Sequence, residues 1–332
     1  IPTIRLNDGN LVQLGHSAAQ HRIWTAETDR TSAIAEGIAS DKDLTKQLLA
    51  AAGVPVPEGR AVASAEDAWD AAEDIGLPVA VKPSDGNHAR GVSLNLKTRD
   101  EVMSAFTAAQ QEGSEVLVER FIPGQEHRLL VVGGKVVAAT RGDIIRVSGD
   151  GRSSIGQLID AHVNTDPRRG VEEHLPLETL RHDDPVLLLL RQRQGLAIDR
   201  LLPRGESAVV QRTGNMSIDV TGQVHPDVAE LVALATRVVG LDIAGIDLVA
   251  EDIGQPLAAQ GGAIVEVNAG PGLLMHLKPA IGRAQPVGDA IVNPLFPAGA
   301  TGRVPIVGVL SDGESALAAR LIAALMQWHG LH

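Results

Sequence analysis

The stretches Gly245-Ile-Asp-Leu-Val249 and Ala263-Ile-Val-Glu-Val-Asn-Ala-Gly-Pro-Gly272 decide how this chain is interpreted. Each begins as an apolar run of strand length and carries polar side chains that a buried strand tolerates poorly. Glu266 and Asn268 lie two positions apart, so on a strand both point to the same face, and Asp247 on a neighbouring strand could join them. Their oxygen donors suit Mg²⁺, especially Mg²⁺ already held by phosphates. The alternative is an edge strand whose polar residues face water.

The composition favours a cytoplasmic enzyme. The 332 residues allow two or three domains, and 44% hydrophobic residues allow a large core. A net charge of -12 disfavours a nucleic-acid partner, and the lack of cysteine excludes disulfides and thiolate metal sites. No apolar run approaches the ~18 residues of a membrane span, and no signal peptide is visible. The chain begins at Ile1 rather than Met, which indicates a piece of a longer protein.

A lysine ends the strand pattern Pro78-Val-Ala-Val-Lys-Pro83, and a glycine-containing loop, residues 84–91, follows it. The backbone N–H groups of such a loop can lie over phosphates. A phosphate would also supply the counter-charge for Lys82, whose ammonium is costly to bury alone. The alternative is an edge lysine that reaches water. Lys42 at a helix start is a second candidate, since a cation is unfavourable at that end of the helix dipole, although surface lysines are common there.

Further polar residues interrupt apolar segments downstream. Glu119 ends a strand with Ile122 just beyond, which is typical either of a purine-binding hinge or of a plain hinge. Arg128 lies in the apolar strand pattern 127–132 and therefore needs an anion, either a transferred phosphate or an internal carboxylate. His88 could contact substrate or be structural. Arg212 suits a carboxylate or an acyl-phosphate, or a surface ion pair.

The order of these features resembles the ATP-grasp ligases, and the match extends to the cyanophycin synthetases from residue 1 to about residue 310. The motifs that carry the resemblance are Leu11-Val-Gln-Leu-Gly15, Asp41-Lys-Asp-Leu-Thr45, Lys82-Pro with Asp85-Gly-Asn-His88, Glu126-His-Arg-Leu-Leu-Val-Val132, Ser148-Gly-Asp-Gly151, Asn164-Thr-Asp-Pro-Arg-Arg-Gly170, Gly240-Leu-Asp-Ile-Ala-Gly-Ile-Asp247, and Glu266-Val-Asn-Ala-Gly-Pro-Gly272 with Met275-His276.

This resemblance implies an ATP-dependent carboxylate–amine ligase that works through an acyl-phosphate and uses ATP and Mg²⁺. By carry-over, a set of side chains and loop residues binds the nucleotide, a second set binds the metal, and a third stabilises charge at the reacting end. The first set is Lys42, Lys82, Gly86, Glu119, Ile122 and Glu126; the second is Asp247, Glu266 and Asn268; the third is Arg128, Arg212, Asn215 and His88.

Three departures from the family pattern bear on function. Ala89 stands where the family usually has glycine, and the expected Thr-Gly-Gly stretch after Ser217 is missing. The family's second nucleotide site needs a lysine where this chain has Glu314. A carboxylate beside a triphosphate is repulsive by ~4 kcal/mol per charge pair at ~4 Å. The second site is therefore expected to be inactive, which favours the second type of cyanophycin synthetase, a polymerase of β-aspartyl-arginine dipeptides.

Two other functions stay open. One is a conventional cyanophycin synthetase, or a related amino-acid ligase, that adds aspartate to the chain end. The other is a nucleotide-binding pseudoenzyme subunit. For the ligase we expect a homo-oligomer, with a cyanophycin chain or the β-aspartyl-arginine dipeptide as substrate.

The predicted architecture is α/β. An N-terminal segment (1–40) leads from a missing domain, an ATP-grasp domain of two α+β lobes covers 41–300, and a degenerate Mur-ligase-like βα remnant covers 301–332. Predicted helices include residues 43–52, 227–240, 315–328 and a leucine-rich helix near 184–196; a strand is predicted at 303–310.

Overall fold

The computed structural model describes residues 1–84, 91–113, 115–170, 175, 177–183, 187, 195–211, 216–304, 308 and 315–328. The chain forms two compact units: unit 1 is Ile1–Thr31 with Gly288–His332, and unit 2 is Ser32–Val287. The domain boundaries predicted from the sequence, at residues 40 and 300, remain predictions. Within the part of the chain that is described, no helix is long and apolar enough to cross a membrane.

The structure contains the predicted mixture of helices and strands. The strands are β1 (Thr3–Arg5), β2 (Leu11–Leu14), β3 (His21–Trp24), β4 (Glu27–Thr28), β5 (Gly59–Val62), β6 (Val79–Pro83), β7 (Ser93–Leu96), β8 (Val116–Arg120), β9 (Gln125–Val132), β10 (Lys135–Gly142), β11 (Ile145–Ser148), β12 (Arg169–Gly170), β13 (Leu177–Glu178), β14 (Ser207–Gln211), β15 (Met216–Asp219), β16 (Ile243–Ala250) and β17 (Ala263–Asn268). The α-helices are α1 (Ala33–Ser40), α2 (Lys42–Ala51), α3 (Ala65–Ile75), α4 (Arg99–Gln110), α5 (Ile155–Leu158), α6 (Pro226–Val239), α7 (Leu257–Gln260), α8 (Leu274–Leu277), α9 (Val287–Val292) and α10 (Ser315–Trp328).

Unit 1 contains a four-stranded antiparallel sheet in the order β1-β2-β3-β4. The ring of His21 packs edge-on against Phe296 at 5.1 Å between ring centroids. Helix α10 is found where the 315–328 pattern predicts it. The predicted strand 303–310 and the leucine-rich helix near 184–196 fall largely outside the described residues.

The first lobe of unit 2 is an antiparallel sheet, β5-β8-β6-β7, covered by α3 and α4. Helix α3 begins where the Ser64 side chain accepts a hydrogen bond from the Asp67 N–H. Thr98 and Glu101 form a capping box at the start of α4. Each cap satisfies backbone donors that a helix start leaves unpaired. The core between helices and sheet is small and alanine-rich, as the low aromatic content requires.

The second lobe is a five-stranded antiparallel sheet in the order β15-β10-β9-β16-β17. One of its faces is apolar and buries Leu129, Ile246, Leu248 and Ile264 against α6. Because side chains alternate along a strand, the residues between these point to the opposite face. A smaller two-stranded sheet, β11 with β14, packs on α5 beside this lobe.

Candidate functional site

One register row of the five-stranded sheet carries the predicted polar residues. Residues directly opposite each other in an antiparallel sheet share a face. Thr140 is opposite both Asp219 and Arg128, and Asp247 is opposite both Arg128 and Glu266. The row across the five strands is therefore Asp219, Thr140, Arg128, Asp247, Glu266, all on the face away from α6.

A β-bulge sets the position of Glu266 in this row. Ile264 is opposite Leu248 and Glu266 is opposite Asp247, so one extra residue, Val265, lies between the two pairs. Without the bulge, Glu266 would share the apolar face of Ile264, two residues earlier. A bulge turns the following side chains to the other face, and it thereby brings Glu266 and Asn268 to the face of Asp247.

The Asp247 carboxylate is held by residues of the neighbouring strands. Arg128 Nη2 donates to Asp247 Oδ2 at 2.7 Å, and Arg128 Nε donates to Oδ1. Asn268 Nδ2 lies 3.3 Å from the same Oδ2. Burial raises the pKa of Asp247, and the charge of Arg128 opposes that rise. Of the two anions left open for Arg128, the internal carboxylate is the one present in this structure.

Two lysines of helix α2, Lys42 and Lys46, lie near Lys82 of the first-lobe sheet. Lys82 Nζ lies 2.8 Å from Glu119 Oε2, and Lys46 Nζ contacts the other oxygen of Glu119. Lys42 Nζ lies 3.3 Å from Glu266 Oε1, which links this group to the acidic row. Burial, followed by the charges of Lys46 and Lys42, holds the pKa of Lys82 well below its usual value. A bound anion would favour the charged form of these lysines, so the three side chains suit an anionic ligand.

Lys46 was missed by sequence reasoning. It follows Lys42 by four residues on α2, so both lie on one face of the helix. That spacing was visible in the sequence, but the partner Glu119 is 73 positions away and only the fold brings it close. Burial lowers the pKa of Lys46.

Several predicted site residues fall outside the described part of the chain. They are Gly86, His88, Arg212 and Asn215. Ile122 is described and half-buried just beyond β8. The described residues contain no cluster of three or more histidine, cysteine, aspartate or glutamate side chains that could hold a metal. The predicted ligand set has only two carboxylates and an amide, and its adjacent oxygen donors fit Mg²⁺ that is also bound by phosphates.

Glu126 is expected to make the stability of the chain depend on pH. Burial, and then the charge of Asp247, raises the pKa of Glu126 to about 7. The folded chain then binds more protons than the unfolded chain, so the free energy of unfolding falls as pH rises from about 4.5 to about 7. At about 1.4 kcal/mol per pKa unit, the Glu126→Gln variant should be more stable than wild type by about 3 kcal/mol at pH 8. Urea unfolding at pH 4 and pH 8 checks this; an equal difference at both pH values would contradict it.

Gly245 allows the Gly270-Pro271-Gly272 turn to lie against the sheet. A Cβ at Gly245 would lie 2.7 Å from Pro271 Cβ and 3.3 Å from Arg128 Nη1. Gly245→Ala should therefore lower the free energy of unfolding by about 1–3 kcal/mol, through overpacking. Gly37→Ala is the matched control, because nothing lies within 4 Å of its Cβ position in helix α1, and it should stabilise by about 0.5–1 kcal/mol. Equal effects in denaturant unfolding would refute the close approach.

Comparison with known proteins finds similar sequences and a similar fold. Residues 41–154 match the family described as carbamoyl-phosphate synthase L chain, ATP binding domain. A cyanophycin synthetase of Trichormus variabilis is 37% identical over 336 residues, covering 99% of this chain and 37% of that protein. The bifunctional glutathione biosynthesis protein GshAB of Streptococcus mutans is 33% identical over 270 residues, covering 78% of this chain and 35% of that protein.

A solved structure, the bifunctional glutathione synthetase from Pasteurella multocida, matches with a TM-score of 0.62 and 25% identity, covering 89% of this chain and 41% of that one. The predicted α/β ATP-grasp fold is therefore confirmed. This chain spans about 37% of the length of the cyanophycin synthetases it matches. Over nearly its whole length it is similar to cyanophycin synthetases.

Proposed function

We propose that this chain contains the ATP-dependent site of a carboxylate–amine ligase. The observation that carries the proposal is the meeting of the three lysines with the acidic row through Lys42 and Glu266. A site of this kind must hold a triphosphate and its metal together. Phosphoryl transfer depends on positioning and electrostatics more than on a nucleophilic side chain.

In the proposed reaction a substrate carboxylate attacks the γ-phosphorus of ATP, forming an acyl-phosphate and ADP. The substrate amine then attacks the acyl carbon, inorganic phosphate leaves, and the amine loses a proton as the amide bond forms. Mg²⁺, when bound, would neutralise phosphate charge and orient the transferred group.

Each residue set has a proposed task. Phosphates are assigned to Lys42, Lys82 and, from its position, Lys46; Gly86 and Glu126 complete the nucleotide site, and the adenine is assigned to the segment from Glu119 to Ile122. The metal is assigned to Asp247, Glu266 and Asn268. Charge on the transferred phosphoryl group and the tetrahedral intermediate is assigned to Arg128, Arg212 and Asn215, and His88 is placed at the reacting end.

Glu119 has a further consequence in this scheme. In the structure its two carboxylate oxygens contact Lys82 and Lys46. Nucleotide phosphates would replace this internal anion on the lysines. The released carboxylate, at the end of β8, is then free to face the base.

The substrate we favour is the β-aspartyl-arginine dipeptide, polymerised at the aspartate α-carboxylate, by a homo-oligomer in the cytoplasm. Support comes from the similarity to cyanophycin synthetases and from Glu314, which replaces the lysine that a second nucleotide site would need. Similarity to the glutathione biosynthesis proteins favours the alternative of a related amino-acid ligase.

Substrate-dependent phosphate release from ATP separates these functions. Release and polymer growth with β-aspartyl-arginine alone would support the dipeptide polymerase. A requirement for free aspartate or another amino acid would support the alternative ligase and overturn the dipeptide assignment. Nucleotide binding without phosphate release under any of these conditions would identify a pseudoenzyme.

A further inference from the structure

Two buried polar side chains in the same region as Arg128 have no hydrogen-bond partner among the residues that the structure describes. They are Thr140, whose Oγ1 is unpaired, and His276, whose Nδ1 and Nε2 are both unpaired. Thr140 is 0% exposed and His276 is 1% exposed. Buried polar groups are almost always paired, and each unpaired group destabilises the fold. These three atoms leave hydrogen-bonding capacity that a bound group could use.

The two side chains lie in the same part of the sheet. Thr140 is opposite Arg128 on one side and Asp219 on the other, in the register row. Helix α8, which carries His276, packs against β10 and β15, the strands of Thr140 and Asp219. The charges that act on the His276 ring are those of Arg128 and Asp219. Helix α8 therefore places His276 on the side of the row that carries Thr140 and Asp219.

The charged neighbours of Thr140 and His276 are already engaged in hydrogen bonds with protein groups. Arg128 is paired with Asp247 through two hydrogen bonds. Asp219 accepts hydrogen bonds from the Thr221 hydroxyl at 2.6 Å, the Arg283 N–H at 3.2 Å and the Gln285 amide at 3.1 Å. Burial, and then the charge of Arg128, lowers the pKa of His276 to about 4, so its imidazole is neutral at pH 7. A charged ligand group would be costly to bury against a neutral imidazole and a hydroxyl.

We propose that Thr140 and His276 line a buried subsite that binds an uncharged amide group of the substrate. A neutral imidazole offers one donor and one acceptor, and a hydroxyl offers both. An amide has one N–H donor and one carbonyl acceptor, so it matches this set, whereas a carboxylate only accepts and an ammonium only donates. This inference rests on the proposed ligase function. It specifies that the substrate already contains an amide close to its reacting carboxylate or amine.

The test uses variants that remove the unpaired atoms with little change of shape. Thr140→Val and His276→Leu delete them, and His276→Gln keeps one donor and one acceptor. Thr236→Val is the matched control, because its hydroxyl is equally buried but donates to the Val232 carbonyl at 2.8 Å. Steady-state kinetics with ATP and β-aspartyl-arginine and thermal unfolding without ligands are measured for each full-length variant.

Thr140→Val and His276→Leu should raise the KM for the dipeptide about tenfold, the scale of one hydrogen bond, with the KM for ATP unchanged. His276→Gln should recover most of the affinity. In the empty protein, Thr140→Val should keep or raise Tm by about 2–4 °C, since an unpaired hydroxyl is removed, while Thr236→Val should lower it. An unchanged dipeptide KM, or a loss of Tm in Thr140→Val equal to that of Thr236→Val, would overturn the subsite.

Failure of the proposed function would look different. A wild-type chain that binds ATP but releases no phosphate with the dipeptide contradicts the proposed substrate. In that case the unfolding comparison alone decides the subsite. Higher Tm in Thr140→Val than in wild type supports it, and equal losses in the two threonine variants reject it.

Discussion

Replacing Lys82 by methionine is expected to lower turnover by about a hundred- to a thousandfold, the usual cost of removing one charge that stabilises a transition state. Its ammonium is the one that ends strand β6 and contacts Glu119. Methionine keeps most of the side-chain volume but leaves the carboxylate of Glu119 with only Lys46. The apparent affinity for ATP should fall together with turnover, because the lysine is proposed to bind phosphate before and during transfer. Phosphate-release kinetics over a range of ATP concentrations measure both.

Lys135→Met is the matched control for this prediction. Lys135 is an exposed lysine at the start of β10, in the turn that joins it to β9. Loss of one positive charge there should leave turnover unchanged. If Lys82→Met bound ATP as tightly as the Lys135 control, the lysine group would not be the phosphate site, and the proposed nucleotide geometry would be wrong.

Replacing Glu266 by glutamine is expected to abolish most turnover, by about a hundredfold or more, because a carboxylate is removed from the proposed Mg²⁺ site. The Mg²⁺ concentration that gives half-maximal activity should rise. Stability should change little, since the ion pair that is lost, with Lys42, involves side chains that are 29% and 33% exposed, and such pairs contribute about 0–1 kcal/mol. A titration of activity against Mg²⁺, with urea unfolding in parallel, separates loss of metal binding from loss of fold.

Glu230→Gln on helix α6 is the control, as an exposed glutamate outside the site. Wild-type activity in the Glu266 variant would refute the metal assignment. A large loss of stability together with activity would instead mean that the Lys42–Glu266 contact is structural, and Glu266 would then not be assigned to the metal.

Local patterns predicted most elements of the fold. Helix α3 starts at the capping residue Ser64, and helix α6 follows the apolar spacing of residues 227–240. The hairpin of β9 and β10 forms around Gly133 and Gly134, because both residues take the positive φ that such a turn requires. These features depend on neighbours in the chain, so a sequence pattern contains the information that decides them.

The site was predictable only in part. The sequence indicated that Asp247, Glu266 and Asn268 belong together, and the fold places Glu266 opposite Asp247 and the Asn268 amide 3.3 Å from the Asp247 carboxylate. It did not indicate Lys46, because Lys46 is on helix α2 and its partner Glu119 is on strand β8 of the first lobe. It also left open which anion faces Arg128, because the pairing of β9 with β16 joins residues 119 positions apart.

The sequence by itself determined the residue types, the strand and helix periods, and the presence of polar groups in apolar strands. Only the tertiary structure decided which of those groups meet. The bulge at Val265 shows the reason: a single unpaired residue turns Glu266 from the apolar face to the polar one. The bulge forms because β17 pairs with β16 while Ile264 is buried against α6. Both interactions join residues that are distant in the chain.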